Sequence, residues 1–446
     1  MDDSAFKVIV VGGGPVGLTA AHALTLAGID HVVLEGRDTM FIDSGASLVL
    51  GPASMRVMHQ FGLLPKLKEI GGEMAHIRSY DISGNAFEDH YGFRMVKDNL
   101  GIAPHAYHRS QLIEAIYEGL PAATKSRVLP GKKVVDIESN ADGVRVHCSD
   151  GTIHAGSIVI GADGVHSRTR RAMRKLALEE QPDREWDAEK PFTTAYKCMW
   201  CSFPRPADSV PGEGFNTHNT DKSSMYLSGT ERSWIFLYEK LPKETRERAS
   251  YSEKDILEFA DMFSEYPITD SLKVKDAVAR RLTSGMANLE EGVLEHWSWG
   301  RVVLAGDACH KFTPNAGLGF NNGIQDVVTL CNRLQAAQSS AEAPLDLATL
   351  TDIFKEYQQE RMELVLDDKK RSALITHIHA WSDRVHYFFA RFVLPFQFVQ
   401  KLMLSYLAKK AVKTSHVLNY VSSDEPFNGL FPWLHKMPKF VSRKLA

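Results

Sequence analysis

The fold is decided by residues 7–35, which read KVIVVGGGPVGLTAAHALTLAGIDHVVLE. A short strand rich in Val and Ile ends at a glycine-rich turn, and a helix of good helix formers follows until Gly28 ends it. A second strand, residues 31–34, then places Glu35 at its carboxyl end. This order predicts a βαβ unit with parallel strands.

The turn glycines Gly12, Gly14 and Gly17 form a G-x-G-x-x-G pattern between a strand and a helix. In that context the first glycine permits the tight turn, the second admits a pyrophosphate close to the backbone, and the third allows strand and helix to pack closely. Glu35 follows Gly17 by 18 residues, where a carboxylate accepts hydrogen bonds from a ribose diol. The segment therefore predicts a dinucleotide site for FAD or NAD rather than NADP.

Two later strands also end at an Asp beside a glycine, in Asp163-Gly164 and Gly306-Asp307. A glycine-rich turn follows the second Asp and opens a helix near Phe320. Asp307 is placed to accept hydrogen bonds from a ribityl chain. The N–H groups of residues 317–320 point at whatever group lies at the start of the helix, which in a reduced flavin is the negatively charged pyrimidine edge. These motifs favour FAD over NAD, and the flavin-site candidates that they supply are Asp163, Asp307, Pro314, Gly317, Leu318 and Gly319.

The composition is that of an ordinary globular protein, with 446 residues, 44% of them hydrophobic and 24% charged. The formal net charge of -3 gives no electrostatic reason to expect nucleic acid as a partner. Five scattered cysteines and an acidic amino terminus favour a reduced, intracellular and cytoplasmic protein without a signal peptide. Cys198 and Cys201 have the spacing of half a zinc or redox site, but no second pair exists and we expect no bound metal.

The pattern along the chain predicts an α/β fold with three parts. They are a Rossmann-like FAD-binding domain (residues 1–180 and 297–345, with a substrate-side excursion near 75–107), an inserted antiparallel-sheet substrate domain (181–296) and a C-terminal helical region (346–446). Charged and proline residues interrupt the late apolar stretch, residues 388–412, so no helix there should cross a membrane. Docking on the body is expected, and peripheral contact with a membrane surface is the alternative.

Taken together, these motifs resemble the class A, single-component FAD-dependent monooxygenases of the p-hydroxybenzoate hydroxylase fold. Arg109, in residues 108–112, matches the Arg with which that family contacts the flavin phosphates. The sequence of residues 310–315 is similar to the corresponding segment of fungal epoxidases of the paxilline-pathway type. These enzymes act on indole diterpenes, meroterpenoids and prenylated indole alkaloids. Leu318 replaces a Gln that is common in the family, and Cys309 replaces an Ala. Neither change removes a backbone donor.

The resemblance implies bound FAD, transient NADPH or NADH, and O2 that forms a flavin C4a-hydroperoxide. This species would epoxidise or hydroxylate an apolar natural product in fungal secondary metabolism. Strand alternation puts Tyr196 and Lys197 on opposite faces of the inserted sheet, and we expect one of them to face the pocket. Lys197 would then act as a hydrogen-bond donor or general acid. His310 and Cys309 are interpreted as packed structural residues.

Other functions stay open at this point. Within the same family they are epoxidation of an indole 2,3-bond followed by rearrangement to a spiro-oxindole, with Lys197 assisting, and hydroxylation of a phenol. Outside it they are a flavin halogenase, a prenyl-chain reductase and a non-catalytic flavin-binding protein. The sequence does not set the choice of nicotinamide or the oligomeric state.

Overall fold

The structure is a computed structural model that describes residues 6–43 and 45–439. The strands in these ranges are β1 (Lys7–Val11), β2 (Asp30–Leu34), β3 (Ser47–Leu50), β4 (Gly72–Glu73), β5 (His76–Asp81), β6 (Ala86–His90), β7 (His105–His108), β8 (Val128–Leu129), β9 (Val134–Ser139), β10 (Val144–Cys148), β11 (Ile153–Gly156), β12 (Ile158–Gly161), β13 (Thr193–Pro204), β14 (Glu213–Asn219), β15 (Lys222–Ser228), β16 (Arg232–Thr245), β17 (Thr283–Val293), β18 (Ser298–Trp299), β19 (Val302–Leu304) and β20 (His310–Lys311).

The α-helices in the same ranges are α1 (Pro15–Leu26), α2 (Pro52–Gln60), α3 (Leu64–Ile70), α4 (Gly92–Leu100), α5 (Arg109–Glu118), α6 (Ala122–Lys125), α7 (Arg168–Glu180), α8 (Glu253–Asp261), α9 (Val274–Ala279), α10 (Leu318–Ser340), α11 (Leu347–His379), α12 (Arg384–Phe392) and α13 (Gln397–Thr414). Short 3-10 turns occupy Gly306–Ala308 and Pro314–Ala316.

A six-stranded sheet in the order β18-β19-β12-β1-β2-β8 forms the centre of the molecule. Its pairs are parallel except for β18 with β19. The Val and Ile runs of β1 and β12 are buried, as is typical of parallel strands that are covered on both faces. The three motif strands β1, β12 and β19 therefore end at one edge of this sheet, where α1 and α10 begin.

An eight-stranded sheet in the order β20-β17-β13-β16-β15-β14-β5-β6 lies beside it. All its pairs are antiparallel except β14 with β5. One face is covered by α8 and α9 over a cluster that contains Met199, Phe203 and Phe263. The predicted α/β fold class with an inserted antiparallel sheet is confirmed. Strands β5, β6 and β20 come from outside residues 181–296, and the predicted domain limits stay a prediction.

The C-terminal helices pack on the body: α11 contacts α10, and α13 contacts α4. After Thr414, residues 415–439 form no helix or strand and run back over α2. There Glu425 pairs with the buried Arg56 at 2.7 Å, and the side chain of Gln60 donates to the carbonyls of Leu418 and Val421. No helix of the described ranges combines the length and the hydrophobicity needed to cross a bilayer.

Candidate active site

A cavity of about 1720 Å³ lies between the two sheets and the C-terminal helices. This is larger than the roughly 300–1000 Å³ of a site for one small ligand, so it has room for a cofactor and a substrate together. Of the thirteen residues that the sequence selected, Gly17, Tyr196 and Lys197 do not line the cavity. The ten that do are Gly12, Gly14, Glu35, Arg109, Asp163, Asp307, Pro314, Gly317, Leu318 and Gly319.

The turn between β1 and α1 needs two of its glycines for its own backbone. Gly12 has φ +109°, and a Cβ there would lie 2.5 Å from the carbonyl oxygen of Ala162. A Cβ on Gly17 would lie 1.8 Å from the carbonyl oxygen of Gly12. Among the described residues, a Cβ on Gly14 would meet nothing within 4 Å, and no side chain caps α1 there. The start of α1 therefore presents free N–H groups and open space to the cavity.

Glu35 holds this turn to the end of β2. Its side chain is buried and accepts hydrogen bonds from the Gly13 amide at 2.8 Å and from the amide and Nε of Arg37, both at 2.9 Å. Burial acts to raise the pKa of the Glu35 carboxyl, but the bonds from Arg37 and Gly13 outweigh it and the pKa is lowered. Glu35 is thus an ionised acceptor at this end of the cavity.

Two cations reach the middle of the cavity. Among the described residues no carboxylate pairs with the guanidinium of Arg109; burial lowers its pKa, nearby Arg37 acts in the same direction and Asp307 opposes. Lys311 donates to Asp307 at 2.5 Å, and both side chains line the cavity. Sequence analysis missed Lys311, although its position four residues after Asp307 was an available signal.

The carboxylate of Asp163 is engaged by neighbouring groups of the protein. It accepts hydrogen bonds from the amides of Arg168 and Thr169 at 2.7 and 3.0 Å and from the Ser167 hydroxyl at 2.5 Å. These bonds satisfy the free amides at the start of α7. Asp163 therefore shapes the cavity wall through α7, and direct contact with a cofactor stays a prediction.

A buried ion network supports the Gly306-Asp307 turn. Asp326, on α10, accepts hydrogen bonds from the Gly306 amide at 2.9 Å, from His310 Nε2 at 2.6 Å and from Arg361 Nε at 2.9 Å. Burial acts to raise its pKa, but the charges of His310 and Arg361 outweigh burial and lower the pKa to about 2. The sequence marked His310 as structural, in agreement with this network, but missed Asp326 and Arg361.

Cys309, His310 and Asp326 lie close enough together to be considered as metal ligands. The Asp326 carboxylate is already bound by the Arg361 guanidinium, whose positive charge opposes a metal cation at the same oxygen atoms. Cys309 is fully buried, and burial raises the pKa of its thiol well above the usual value. The cluster is therefore a structural support for the turn.

Asn321 joins the start of α10 to the β3–α2 loop. Its Oδ1 accepts from the Gly51 amide at 2.9 Å and the Ser54 hydroxyl at 2.6 Å, and its Nδ2 donates to the Val49 carbonyl at 2.8 Å. Gly317, with φ +64°, is the N-cap of α10 and provides no side-chain cap. The free N–H groups of α10 therefore face the cavity beside the start of α2.

The far end of the cavity is mostly apolar. Side chains from the eight-stranded sheet, from the β4–β5 connection and from α11 and α13 line it, including Met74, Trp200, Met225, Leu227, Phe236, Ile375, Ile378 and Leu407. Its polar groups include Asn216 and His218 on β14 and His379 at the end of α11. Burial lowers the pKa of His379 to about 4 and that of His218 well below its usual value, so both imidazoles are neutral near pH 7.

Tyr196 and Lys197 lie on opposite faces of β13, as alternation predicts, but the expectation that one of them faces the pocket is wrong. The Tyr196 hydroxyl lies 3.1 Å from His377 Nδ1 on α11, which covers it. Lys197 Nζ lies 2.8 Å from Glu239 and 4.9 Å from the ring centroid of Phe259, on the side of α8. Further along the face of Tyr196, Trp200 is the residue of β13 that lines the cavity.

The Cys198–Cys201 pair cannot form half a metal site. Cys198 belongs to the apolar cluster with Phe236, and Cys201 to the cluster under α8, so three residues of strand put them on opposite faces. Both thiols are free and buried, and burial raises the pKa of Cys201 to about 12. They pack the sheet from its two sides.

Comparison with known proteins identifies the family. Residues 5–365 match the model of an FAD-binding domain family. The chain is 31% identical over 426 residues to the FAD-dependent monooxygenase ausM of Penicillium brasilianum, which covers 94% of this chain and 88% of that protein. It is 33% identical to the FAD-dependent monooxygenase DEP2 of Alternaria brassicicola, over 96% of this chain and 82% of that protein.

Solved structures share the fold at low sequence identity. An FAD complex of HpxO from Klebsiella pneumoniae superposes with a TM-score of 0.71 at 22% identity, over 90% of this chain and 99% of that one. CtdE, in complex with FAD and a substrate, superposes with a TM-score of 0.70 at 16% identity and the same coverage. The family model covers most of the chain, and the relatives are similar over nearly its whole length. The chain therefore belongs to the FAD-binding family of FAD-dependent monooxygenases.

Proposed function

We propose that this enzyme epoxidises or hydroxylates an apolar natural product, such as a terpenoid, an indole diterpene or a prenylated indole alkaloid, in fungal secondary metabolism. The observation that carries the proposal is that one cavity joins the glycine-rich turns to an apolar end. When bound, FAD would supply the redox chemistry, with NADPH or NADH as reductant and O2 as oxidant, by which one oxygen atom enters the substrate and the other leaves as water. The protein's own residues position both partners and exclude water.

The residues of the polar end fit FAD along its whole length. Glu35 is an ionised acceptor for the adenosine ribose, and the open space at Gly14 before the free amides of α1 fits the pyrophosphate. The guanidinium of Arg109 has no carboxylate partner among the described residues and matches the phosphate charge. Asp307 would accept from the ribityl hydroxyls, and the amides of residues 317–319, beside Pro314, would donate to the pyrimidine edge of the flavin.

The apolar end favours epoxidation of an alkene over hydroxylation of a phenol. A phenol reacts best as phenolate, which calls for a base near the substrate. Burial lowers the pKa of His379 to about 4 and lowers that of His218 too, which makes both imidazoles weak bases. The Glu88 carboxylate, which also lines the cavity, already accepts hydrogen bonds from the side chains of Ser79 and Gln400. The epoxide-opening role expected of Lys197 has no support, because this ammonium pairs with Glu239 outside the cavity. Epoxidation of an alkene does not require these side chains to remove a proton from the substrate.

The test is substrate-dependent turnover by the FAD-loaded enzyme. We would supply NADPH or NADH, isotopically labelled O2 and a panel of prenylated indoles, indole diterpenes and terpenoid alkenes, and we expect a product that gains one labelled oxygen atom. Met225→Trp, which fills the apolar end, should raise KM, and Met262→Trp, on the exposed end of α8, should not. A product that gains hydrogen instead of oxygen would contradict the proposal, as would the absence of an oxygenated product with every member of the panel.

We propose peripheral contact with a membrane separately from the reaction. Apolar natural products partition into bilayers, so an enzyme that consumes them gains access to substrate at a membrane surface.

A further inference from the structure

The apolar end of the cavity opens to the outside between α11, α12 and α13. Leu374, Val385, Phe389 and Met403 all line the cavity, and they are also 43% to 62% exposed. Side chains that line a cavity and also face the solvent mark its mouth. The exposed residues that line the polar end are different in kind, and include Arg37, Lys133 and Arg168. The two ends of the cavity thus meet different surroundings.

Exposed apolar side chains continue outward from this mouth on the same helices. We call them the apolar collar: Phe388, Phe392, Phe396, Phe398, Leu402 and Tyr406, which are 52% to 77% exposed. Phe398, Leu402 and Tyr406 recur every four residues and so share one face of α13. Six large apolar side chains exposed on consecutive elements are unusual for a protein that meets only water.

The collar lies in a segment of one charge sign. Residues 384–423 contain six Lys or Arg residues and no Asp or Glu, whereas the whole chain has a net charge of -3. Arg384, Lys401 and Lys409 are exposed. Exposed phenylalanines among basic residues are typical of helices that lie in the interface of a bilayer with anionic lipids.

We propose that the apolar collar inserts into the surface of a bilayer that contains anionic lipids, and that substrate dissolved in the bilayer enters the cavity through the mouth beside it. The basic side chains contact lipid headgroups while the collar replaces water with acyl chains. Leu374, Phe389 and Met403 then form an apolar path from the lipid to the wall that contains Trp200 and Phe236. The substrate class in this statement rests on the proposed function, but the membrane contact does not.

Membrane contact is tested by co-sedimentation of the FAD-loaded full chain with phosphatidylcholine vesicles, with and without phosphatidylserine. We expect binding that increases with phosphatidylserine. The double variant Phe398→Ser/Leu402→Ser should weaken it by on the order of tenfold or more, since both side chains leave the acyl layer. Lys401→Glu/Lys409→Glu should remove the phosphatidylserine-dependent part. The matched control Ile153→Ser/Leu257→Ser changes two exposed apolar residues on other elements and should bind as the wild type.

Three results would overturn the proposal. One is a wild-type chain that does not sediment with vesicles. Another is equal loss of binding in the collar and control variants. The third is a wild-type dimer in sedimentation velocity that Phe398→Ser/Leu402→Ser converts to a monomer without vesicle binding, because the collar would then be covered by a second copy of the chain.

Entry from the bilayer is tested by the route of delivery. A compound that the panel shows to be oxygenated is supplied either dissolved in anionic vesicles or as a soluble cyclodextrin complex. Because Phe398 and Leu402 do not line the cavity, their double variant should lose about tenfold in rate only with vesicles. Equal losses by both routes would overturn the entry path. Absence of any oxygenated product would refute the proposed function instead, and vesicle binding would still stand or fall alone.

Discussion

The two ends of the cavity are built in different ways. At the polar end the cavity is lined by turns that connect a strand to a helix. Backbone amides, buried ion pairs and two glycines without room for a side chain fix these turns. At the apolar end it is lined by side chains from the middle of secondary-structure elements, namely the eight-stranded sheet and the helices α11 and α13. The comparison teaches that the polar end depends on the path of the main chain, whereas the apolar end depends on side chains that can change without altering the fold.

Among the variants that test this difference, Gly17→Ala should have the largest effect. Its methyl group would lie 1.8 Å from the carbonyl oxygen of Gly12, where only backbone movement gives relief, so we expect a loss of more than about 3 kcal/mol of stability and protein that purifies without FAD. Gly14→Ala is the matched control, because its methyl group meets no atom of residues 6–43 and 45–439 within 4 Å.

Gly14→Ala should keep the thermal stability of the FAD-free protein and lose FAD affinity, if the pyrophosphate occupies that space. Calorimetry on the FAD-free chain and fluorescence titration with FAD measure the two quantities. Equal behaviour of the two glycine variants would contradict the distinction between a glycine required by the fold and one required by the ligand.

The next largest effect is expected for Asp326→Asn, which leaves the Arg361 guanidinium buried without its counter-charge. We expect a loss of about 3–5 kcal/mol in the free energy of unfolding at pH 7, measured by urea titration. The pKa of Asp326 falls from an ordinary 3.8 to about 2 in the folded chain. Its stabilising contribution is therefore complete above pH 3.8 and is lost as the pH falls toward 2.

The free-energy difference between wild type and Asp326→Asn should accordingly shrink as the pH falls from about 4 toward 2. Asn321→Ala offers a comparison, since it removes neutral hydrogen bonds near the same helix and should show no such pH dependence. A difference that grows between about pH 4 and pH 2 would contradict the assignment of an ionised Asp326.

A smaller loss is expected for Asp307→Asn, which keeps the size of the side chain but removes its charge beside Lys311. FAD affinity should fall by about tenfold, since hydrogen bonds to a charged acceptor exceed those to a neutral one by about 1–1.5 kcal/mol. Titration of the FAD-free protein gives the dissociation constant. Asp307→Asn/Lys311→Met in a double-mutant cycle shows whether the ion pair supports the cofactor site, and an unchanged FAD affinity in both variants would refute the assignment.

Sequence reasoning succeeded where function depends on main-chain geometry. The turn at Gly12–Gly17, the Gly306-Asp307 pair and the start of α10 are each set by local spacing, and a single sequence displays such spacing. All these glycines and Asp307 lie where the pattern placed them, although their contacts with FAD remain predictions.

Sequence reasoning failed where the site depends on how distant helices and strands pack against one another. Alternation put Tyr196 and Lys197 on opposite faces correctly, but the position along β13 at which the cavity begins is set by α11, whose residue His377 covers Tyr196. Asp326 lies on α10, and its partners Gly306, His310 and Arg361 come from a 3-10 turn, β20 and α11. No spacing rule joins residues so far apart in the chain. The mouth of the cavity likewise depends on how α11, α12 and α13 are arranged in space.

Lys197→Ala should have the smallest effect of all and is the sharpest test of where the apolar end begins. The ion pair with Glu239 is partly exposed and Lys222 also reaches that carboxylate at 3.3 Å, so its loss should change stability by less than about 1 kcal/mol. Because Lys197 faces α8, kcat, KM and product distribution should stay within about twofold of wild type. Trp200 lies four residues beyond Tyr196, on the cavity-facing side of the same strand. Trp200→Ala should raise KM severalfold because it removes part of the apolar wall. Loss of oxygenation in Lys197→Ala with an unchanged melting temperature would contradict the placement of Lys197 outside the substrate site.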